Sequence, residues 1–366
     1  MKTIFTTLQL GVSQLKNRFV MAPMTRSRAT NEHADALTVL YYAQRASAGL
    51  IISEGIPTSQ QGTGYLFNPG IYLDSQGEAW KPVTKSVHGQ GGKIFAQLWH
   101  VGRVSHNSLL PQGSSPVSSV AKQGGSAYAW DENHQPAALA ASQPRALATE
   151  EIADIITEFC QAAINAIAAG FDGVEIHAAN GYLIEQFINP ALNVREDHYG
   201  GQTLQNRTRL LMDITDAIAD EIGRQKVGVR LSPYNTLQDM PEFTDTLETY
   251  LHIGQELNRR QIAYVHLMVE SPLPFAQLLN EFRNVWQGPL ILAGGIDAQR
   301  AESLIAEGHA ELVAFGSAFI ANPDFVARIK HGWPLETAKK SSYYGGGAEG
   351  YTDYPFYQQA ASTRDH

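Results

Sequence analysis

Eight short apolar runs recur along this chain, and stretches with helical periodicity separate them. The runs are RFVMAPM (18–24), GLIISEG (49–55), KIFAQLW (93–99), DGVEIHA (172–178), KVGVRLS (226–232), AYVHLMV (263–269), PLILAGG (289–295) and ELVAFGS (311–317). Each has the length of one buried strand. The stretches between them bury one stripe. In EEIADIITEFCQAAINAIAAG, residues Ile152, Ile155, Ile156, Phe159, Ala163, Ile164 and Ile167 fall at helical spacing, and Gly170 stands where a C′ glycine ends a helix. Residues 204–223 and 297–310 behave alike. Strands alternating with helices imply a parallel sheet with right-handed crossovers, and eight such units close into a (β/α)8 TIM barrel. An open doubly wound sheet is the runner-up, but no G-x-G-x-x-G joins a first strand to its helix. The length of 366 residues is compatible with one barrel domain over 1–366. Residues 101–145 break the alternation. This stretch is rich in Ser, Pro, Gly, Ala and Gln and is expected to be a long loop or capping subdomain after strand three.

Bulk properties narrow the function. A formal net charge of −9 argues against a general nucleic-acid or anionic-membrane binder. No apolar run reaches the roughly 18 residues of a spanning helix. The start, MKTIFTTLQLG, lacks a long apolar core with a small-residue cleavage site and reads as mature protein. Cys160 is the only cysteine, which forbids an internal disulfide or a cysteine metal cluster and fits a reducing, cytoplasmic setting. His100 and His106 resemble a metal pair only weakly, because no third ligand follows at a characteristic spacing, so no metal is expected. Monomer and homodimer are both compatible with the sequence.

In a barrel, functional residues sit at the C-terminal strand ends. Here those ends collect polar groups: Pro23-Met24-Thr25, then Glu54-Gly55, then Gln97, Trp99 and His100. Strand four leads to His177, Asn180 and Tyr182, strand five carries Arg230, and strands seven and eight end in Gly294-Gly295 and Gly316-Ser317. Glycines after strands seven and eight let backbone N–H groups approach a phosphate. Gln97 and Arg230 suit the edge of a flat heterocycle, with an inward ion pair as the alternative for Arg230. His177 and Asn180 can clamp one carbonyl or nitro oxygen. Tyr182 is a neutral acid able to give a proton to carbon. The tail SSYYGGGAEGYTDYP presents Tyr343 and Tyr344 on a glycine-rich loop, with no Lys-Ser/Thr to make it a nucleotide loop.

The segments MAPMTRSRA, QLWHVGRVSH, HAANGYLIEQFINPALNVREDHYGG, VGVRLSP, VAFGSAFIANPDF and YYGGGAEGYTDYP, in this order, resemble the old yellow enzyme family of flavin-dependent ene-reductases. In length and ending the chain is most similar to bacterial N-ethylmaleimide and nitrate-ester reductases. The resemblance implies an FMN-binding barrel whose flavin, reduced by NADPH or NADH, passes a hydride from N5 to the β-carbon of an activated alkene or to a nitro compound. It implies that Thr25 touches the flavin C4 oxygen, that Gln97 and Arg230 bind the pyrimidine edge, and that Pro23, Met24 and Gly55 line the isoalloxazine. Gly294, Gly295, Gly316 and Ser317 would surround the phosphate. His177 and Asn180 would bind the substrate oxygen, His177 also bordering the flavin. Tyr182 would protonate the α-carbon, and Tyr65, Trp99 and Tyr344 would shape the pocket.

Four features stand apart from the usual pattern of the family. Ser317 stands where the family carries a phosphate-binding arginine. AGG replaces the usual AG-A/N, and His33-Ala34-Asp35 replaces a proline-rich tract. The substrate pair is His-Asn rather than the His-His pair of some bacterial members, which leaves His177 as its one titratable member. Two alternatives accompany the main reading. One is a flavin-binding module with little turnover. The other is a different FMN barrel reductase, such as the larger iron–sulfur dienoyl-CoA reductases, which a single cysteine opposes.

Overall fold

The computed structural model describes residues 2–268 and 272–358. Eight strands form a closed parallel barrel: β1 (Phe19–Met21), β2 (Leu50–Pro57), β3 (Ile94–Trp99), β4 (Gly173–Ala178), β5 (Val227–Leu231), β6 (Tyr264–Met268), β7 (Leu290–Ala293) and β8 (Leu312–Phe315). Seven lie within the apolar runs of the sequence, and β2 begins within its run, 49–55, and continues two residues past it to Pro57; Val269, in the sixth run, falls outside the described residues. The outer helices are α1 (Ala36–Gln44), α2 (Asp74–Gly89), α3 (Glu151–Ala168), α4 (Leu204–Ile222), α5 (Thr246–Arg260), α6 (Pro272–Val285), α7 (Ala298–Ala306) and α8 (Phe325–His331). Two short helices are inserted after strand ends, Leu183–Ile188 behind β4 and Ser317–Ala321 behind β8.

Local chemistry explains the helix boundaries. Asp35 caps α1 by accepting from the Thr38 N–H while the Thr38 hydroxyl accepts from the Asp35 N–H. The HAD tripeptide that replaces the family's proline-rich tract therefore contains the cap of this helix. Gly170 ends α3 at φ +92°, and a Cβ there would lie 2.7 Å from the Thr84 hydroxyl. The buried stripe of α3 is rotated slightly from the one the isoleucines indicate. Ile164 is 36% exposed, while Ala162 and Ala166 are buried beside Ile152, Ile155 and Phe159. Small side chains let the helix approach its neighbours closely, so the alanines take the inner positions.

The barrel is filled in layers. At the N-terminal ends of the strands, Leu10 and Leu15 of the hairpin Leu8–Leu10/Ser13–Leu15 pack with Val20, Leu50, Phe95, Tyr264, Ile291 and Leu312. Above this apolar layer comes a buried polar one. Gln97, Glu175, His177, Arg230 and His266 occupy neighbouring strands, with Glu175 opposite Gln97, His177 opposite Arg230, and Arg230 opposite His266. A polar layer inside a barrel requires partners or a ligand, because burying such groups unpaired is costly.

Between β3 and α3, the antiparallel hairpin Ser126–Trp130/Pro136–Ala140 and a short parallel pairing of Val117–Ser118 with Arg145–Ala146 give the 101–145 stretch secondary structure of its own. Asp131 closes the hairpin by accepting from the Asn133 and Gln135 N–H groups at 2.8 Å. The hairpin leans on the mouth through a bridge between Tyr65 and Tyr128.

Candidate active site

The C-terminal mouth holds a cavity of about 410 Å³. Pro23, Met24, Thr25, Tyr65, Gln97, Trp99, His177, Asn180, Tyr182, Arg230, Gly316, Ser317 and Tyr344 line it, and so do Leu237, Gln238, Ile320 and Tyr343. A neighbouring cavity of about 310 Å³ is lined by Gly294, Gly295, Gly316 and Ser317 and shares Pro23, Met24 and Arg230 with the first. Of the residues named from the sequence, Gly55 lies on neither cavity wall. The register of β2 against β3 shifts between Ile52 and Gly55, and a Cβ at Gly55 would come within 2.3 Å of the Trp99 indole. Gly55 thus makes room for Trp99 to stand at the cavity. Leu237, Gln238 and Ile320 carry no signal in the sequence that marks them for the cavity. They sit on a loop and a short helix with no periodic pattern to mark them.

The aromatic wall is tightly packed. Trp99 stacks on Tyr65 at 5.3 Å and meets Tyr182 edge-on at 4.8 Å, and His177 meets Tyr182 edge-on at 5.1 Å. The Tyr182 hydroxyl lies 3.1 Å from that of Tyr65, which in turn receives a hydrogen bond from Gln238 Nε2 at 3.3 Å. Burial, reinforced by the Tyr65 phenol, holds the Tyr182 hydroxyl well above the ordinary tyrosine pKa, so it stays protonated. His177 is pushed well below its ordinary value by burial and then by Arg230 and His266, so it is a neutral imidazole near pH 7. Substrate binding therefore should not titrate through His177, although the sequence marks it as the titratable member of the pair. Asn180 adopts the left-handed conformation at φ +58°, which asparagine tolerates better than most residues, and its Nδ2 donates to Met268 Sδ at 3.1 Å.

Beneath the cavity, Glu175 is the hub. It accepts from Gln97 Nε2 at 2.8 Å and pairs with His266 Nδ1 at 2.9 Å, all three groups buried. The carboxylate is an acceptor, so the Gln97 amide must present nitrogen to it and keep its oxygen for a ligand. Arg230 forms no hydrogen bond to Glu175. Its Nη2 donates to Met268 Sδ at 3.3 Å, and its Nε and Nη1 are buried without a partner among the described residues. His177 Nδ1 and Trp99 Nε1 likewise have no partner among the described residues. Donors buried without acceptors at a cavity wall are a physical indication of a ligand.

A family model described as the NADH:flavin oxidoreductase / NADH oxidase family matches residues 3–336. The chain belongs to this family. It is 41% identical over 362 residues to the putative 12-oxophytodienoate reductase 4 of Oryza sativa subsp. japonica, covering 96% of this chain and 93% of the relative. It is 42% identical over 328 residues to the putative 12-oxophytodienoate reductase-like protein 1 of Arabidopsis thaliana, covering 88% and 98%. Among solved structures, morphinone reductase in complex with tetrahydroNAD superposes with a TM-score of 0.95 at 41% identity, each chain covered completely. The old yellow enzyme homologue from Zymomonas mobilis gives 0.91 at 37% identity, with 97% of this chain and 100% of that one covered. The protein is thus an oxidoreductase of the old yellow enzyme type.

The residues present fit the flavin this family uses. The orphaned Arg230 nitrogens and the Gln97 oxygen form a mixed donor and acceptor edge at the first cavity. At the second, Gly294 and Gly295 have φ of +113° and +63°, and a Cβ at Gly295 would meet nothing within 4 Å, so the backbone lies open. Arg230 is the only lysine or arginine lining that cavity among the described residues. Arg26 and Arg28 point elsewhere. Arg26 donates to Tyr343 O at 3.0 Å and Gly350 O at 2.8 Å, and Arg28 donates to Ser342 O at 2.7 Å. They hold the C-terminal segment that brings Tyr343 and Tyr344 to the mouth.

Proposed function

We propose that this protein is an FMN-dependent ene-reductase acting on α,β-unsaturated carbonyls, maleimides or nitro compounds, with NADPH or NADH as reductant. The observation that carries the reading is one wall holding a neutral imidazole, an amide and a protonated phenol, next to a buried edge of unpartnered donors. The chemistry that FMN supplies when bound is hydride transfer, from the nicotinamide to the β-carbon of the alkene. Arg230 offers positive charge to its pyrimidine edge, Gln97 offers an acceptor fixed by Glu175, and Thr25 borders the same cavity. Gly294, Gly295, Gly316 and Ser317 surround the phosphate end. His177 and Asn180 hold the electron-withdrawing oxygen and draw charge toward it. Tyr182 delivers the proton to the α-carbon, and the Tyr65 hydroxyl and Gln238 amide align it. Tyr65, Trp99 and Tyr344 bound the substrate. The purified protein should be yellow, bleach with NADPH or NADH without oxygen, and recover its colour on adding 2-cyclohexenone or N-ethylmaleimide. A colourless preparation that takes up no added FMN would sink this reading.

A further inference from the structure

Glu185 lies in the same stretch as His177 and Tyr182, yet the chemistry above does not use it. It is buried on the short helix Leu183–Ile188. Its Oε2 accepts from the Gly181 N–H at 2.5 Å and from Asn235 Nδ2 at 2.9 Å. Its Oε1 accepts from the Ser232 hydroxyl at 2.8 Å and from the Tyr250 hydroxyl at 3.0 Å. The Ser232 oxygen in turn accepts from the Asn180 N–H at 2.7 Å. Two consecutive amides of the turn that carries Asn180 and Tyr182 therefore end on one carboxylate. That turn has two consecutive positive φ values, +58° at Asn180 and +83° at Gly181. Asparagine tolerates this conformation better than most residues, but two such residues in succession are held in place by their hydrogen-bond partners.

We propose that Glu185 is a positioning residue whose ionised carboxylate locks the Asn180–Gly181–Tyr182 turn, and thereby sets how Asn180 and Tyr182 meet the substrate. Four donors converge on two oxygens, an arrangement that a carboxylate satisfies and a carboxylic acid, itself a donor, does not. The groups hydrogen-bonded to it are the Gly181 N–H of the turn, Ser232 and Asn235 after β5, and Tyr250 of α5, and none is a cation. Tyr250 is the one titratable member, and burial, reinforced by Glu185, keeps it protonated. Burial without a counter-ion lifts the Glu185 carboxyl to about 7. Its folded-state value is raised to about 7, so the lock is about half formed there, complete well above it and released as pH falls below it.

The inference rests on the ene-reductase reading, and the experiment separates the two. The holoenzyme and its Glu185→Gln variant are compared in anaerobic stopped flow, measuring flavin reoxidation by 2-cyclohexenone between pH 5.5 and 9. The variant should keep its yellow colour and its FMN affinity. Its reoxidation should be about 10–100-fold slower, the order expected for reacting groups displaced by less than an ångström. The parent rate should decline below pH 7, and that decline should be missing in the variant. Hydrogen exchange at the Asn180 and Gly181 amides should accelerate. If Glu185→Gln does not fold, Ser232→Ala removes the Asn180 acceptor and one of the four donors to Glu185 while keeping the carboxylate, and should slow reoxidation and speed amide exchange more mildly. A Glu185→Gln or Ser232→Ala protein with parental reoxidation rate, pH profile and amide protection would overturn the proposal. A parent enzyme that binds FMN but is never reoxidised by any activated alkene or nitro compound would instead overturn the ene-reductase reading; faster exchange at those amides would still support the lock.

Discussion

At the Tyr182 hydroxyl, burial and the neighbouring phenol act in the same direction. Both keep the proton on oxygen at any pH the protein would meet. Under the proposed chemistry, Tyr182→Phe removes the proton source and leaves the flavin edge intact. Alkene reduction should fall by about 100-fold or more, within the usual range for a lost general acid, while flavin reduction by NADPH or NADH stays normal. Stopped-flow measurement of the two half-reactions checks this, and an unaffected reoxidation rate would remove Tyr182 from its role. Ser317 carries a second test at the same scale. No lysine or arginine other than Arg230 lines its cavity among the described residues. Ser317→Arg should therefore tighten FMN binding by roughly 1.5–3 kcal/mol while leaving riboflavin binding nearly unchanged. Fluorescence titration of the apoprotein with each flavin separates a phosphate contact from a general effect on the fold.

Among the elements, the C-terminal segment depends most on single side chains. It has little secondary structure between Pro334 and Tyr357, yet buried arginines fix it. Arg45 donates to Phe319 O at 2.7 Å, to Ile320 O at 2.8 Å and to Tyr351 O at 3.2 Å, tying the helix Ser317–Ala321 to the tail. Tyr351 stacks on Tyr41 at 4.2 Å, and Arg26 lies 5.1 Å from both ring centres. Replacing Arg26 by Ala leaves the carbonyls of Ser342, Tyr343 and Gly350 without its donors. The expected cost is at least about 2 kcal/mol, together with faster proteolysis around residues 340–350. Urea denaturation and limited digestion measure both, and parental values in both would contradict the anchoring role.

For the whole molecule, buried carboxyl groups shape the response to pH. Glu54, on β2, is lifted to about 7, chiefly by burial and against the pull of Arg26, and its Oε2 has no hydrogen-bond partner among the described residues. A folded-state value above the unfolded one means that its stabilising contribution is complete below about 4.5 and is lost as pH rises through about 7. Glu54→Gln stays neutral throughout. Its stability relative to the parent should therefore rise from pH 4.5 to 7 and level off, by up to about 3 kcal/mol for a shift of that size. Thermal unfolding across this range checks the sign, and a trend in the opposite direction would refute it. Among the described residues, no helix is long and apolar enough to cross a membrane.

The barrel was legible in the sequence because a buried parallel strand announces itself by composition alone. Eight apolar runs at regular intervals leave few other ways to cover both faces of a sheet. The helical spacing of α3 and the terminating role of Gly170 were also legible, since both are local properties, whereas packing rotated the buried stripe toward Ala162 and Ala166. The tertiary structure decided what lay between distant segments. Gly55 serves Trp99 because of a register shift that no local pattern encodes. Gln238 reaches the mouth from a loop without periodicity, and the hairpin at 126–140 hides within a low-complexity stretch. Protonation states were decided there too. Depth of burial, and the partners that Glu175, His177 and Glu185 find on other strands and helices, depend on closure of the barrel. Residue types and their order determine which elements form and where the polar groups emerge. Only the packed molecule determines which of those groups are left without a partner and so free to act.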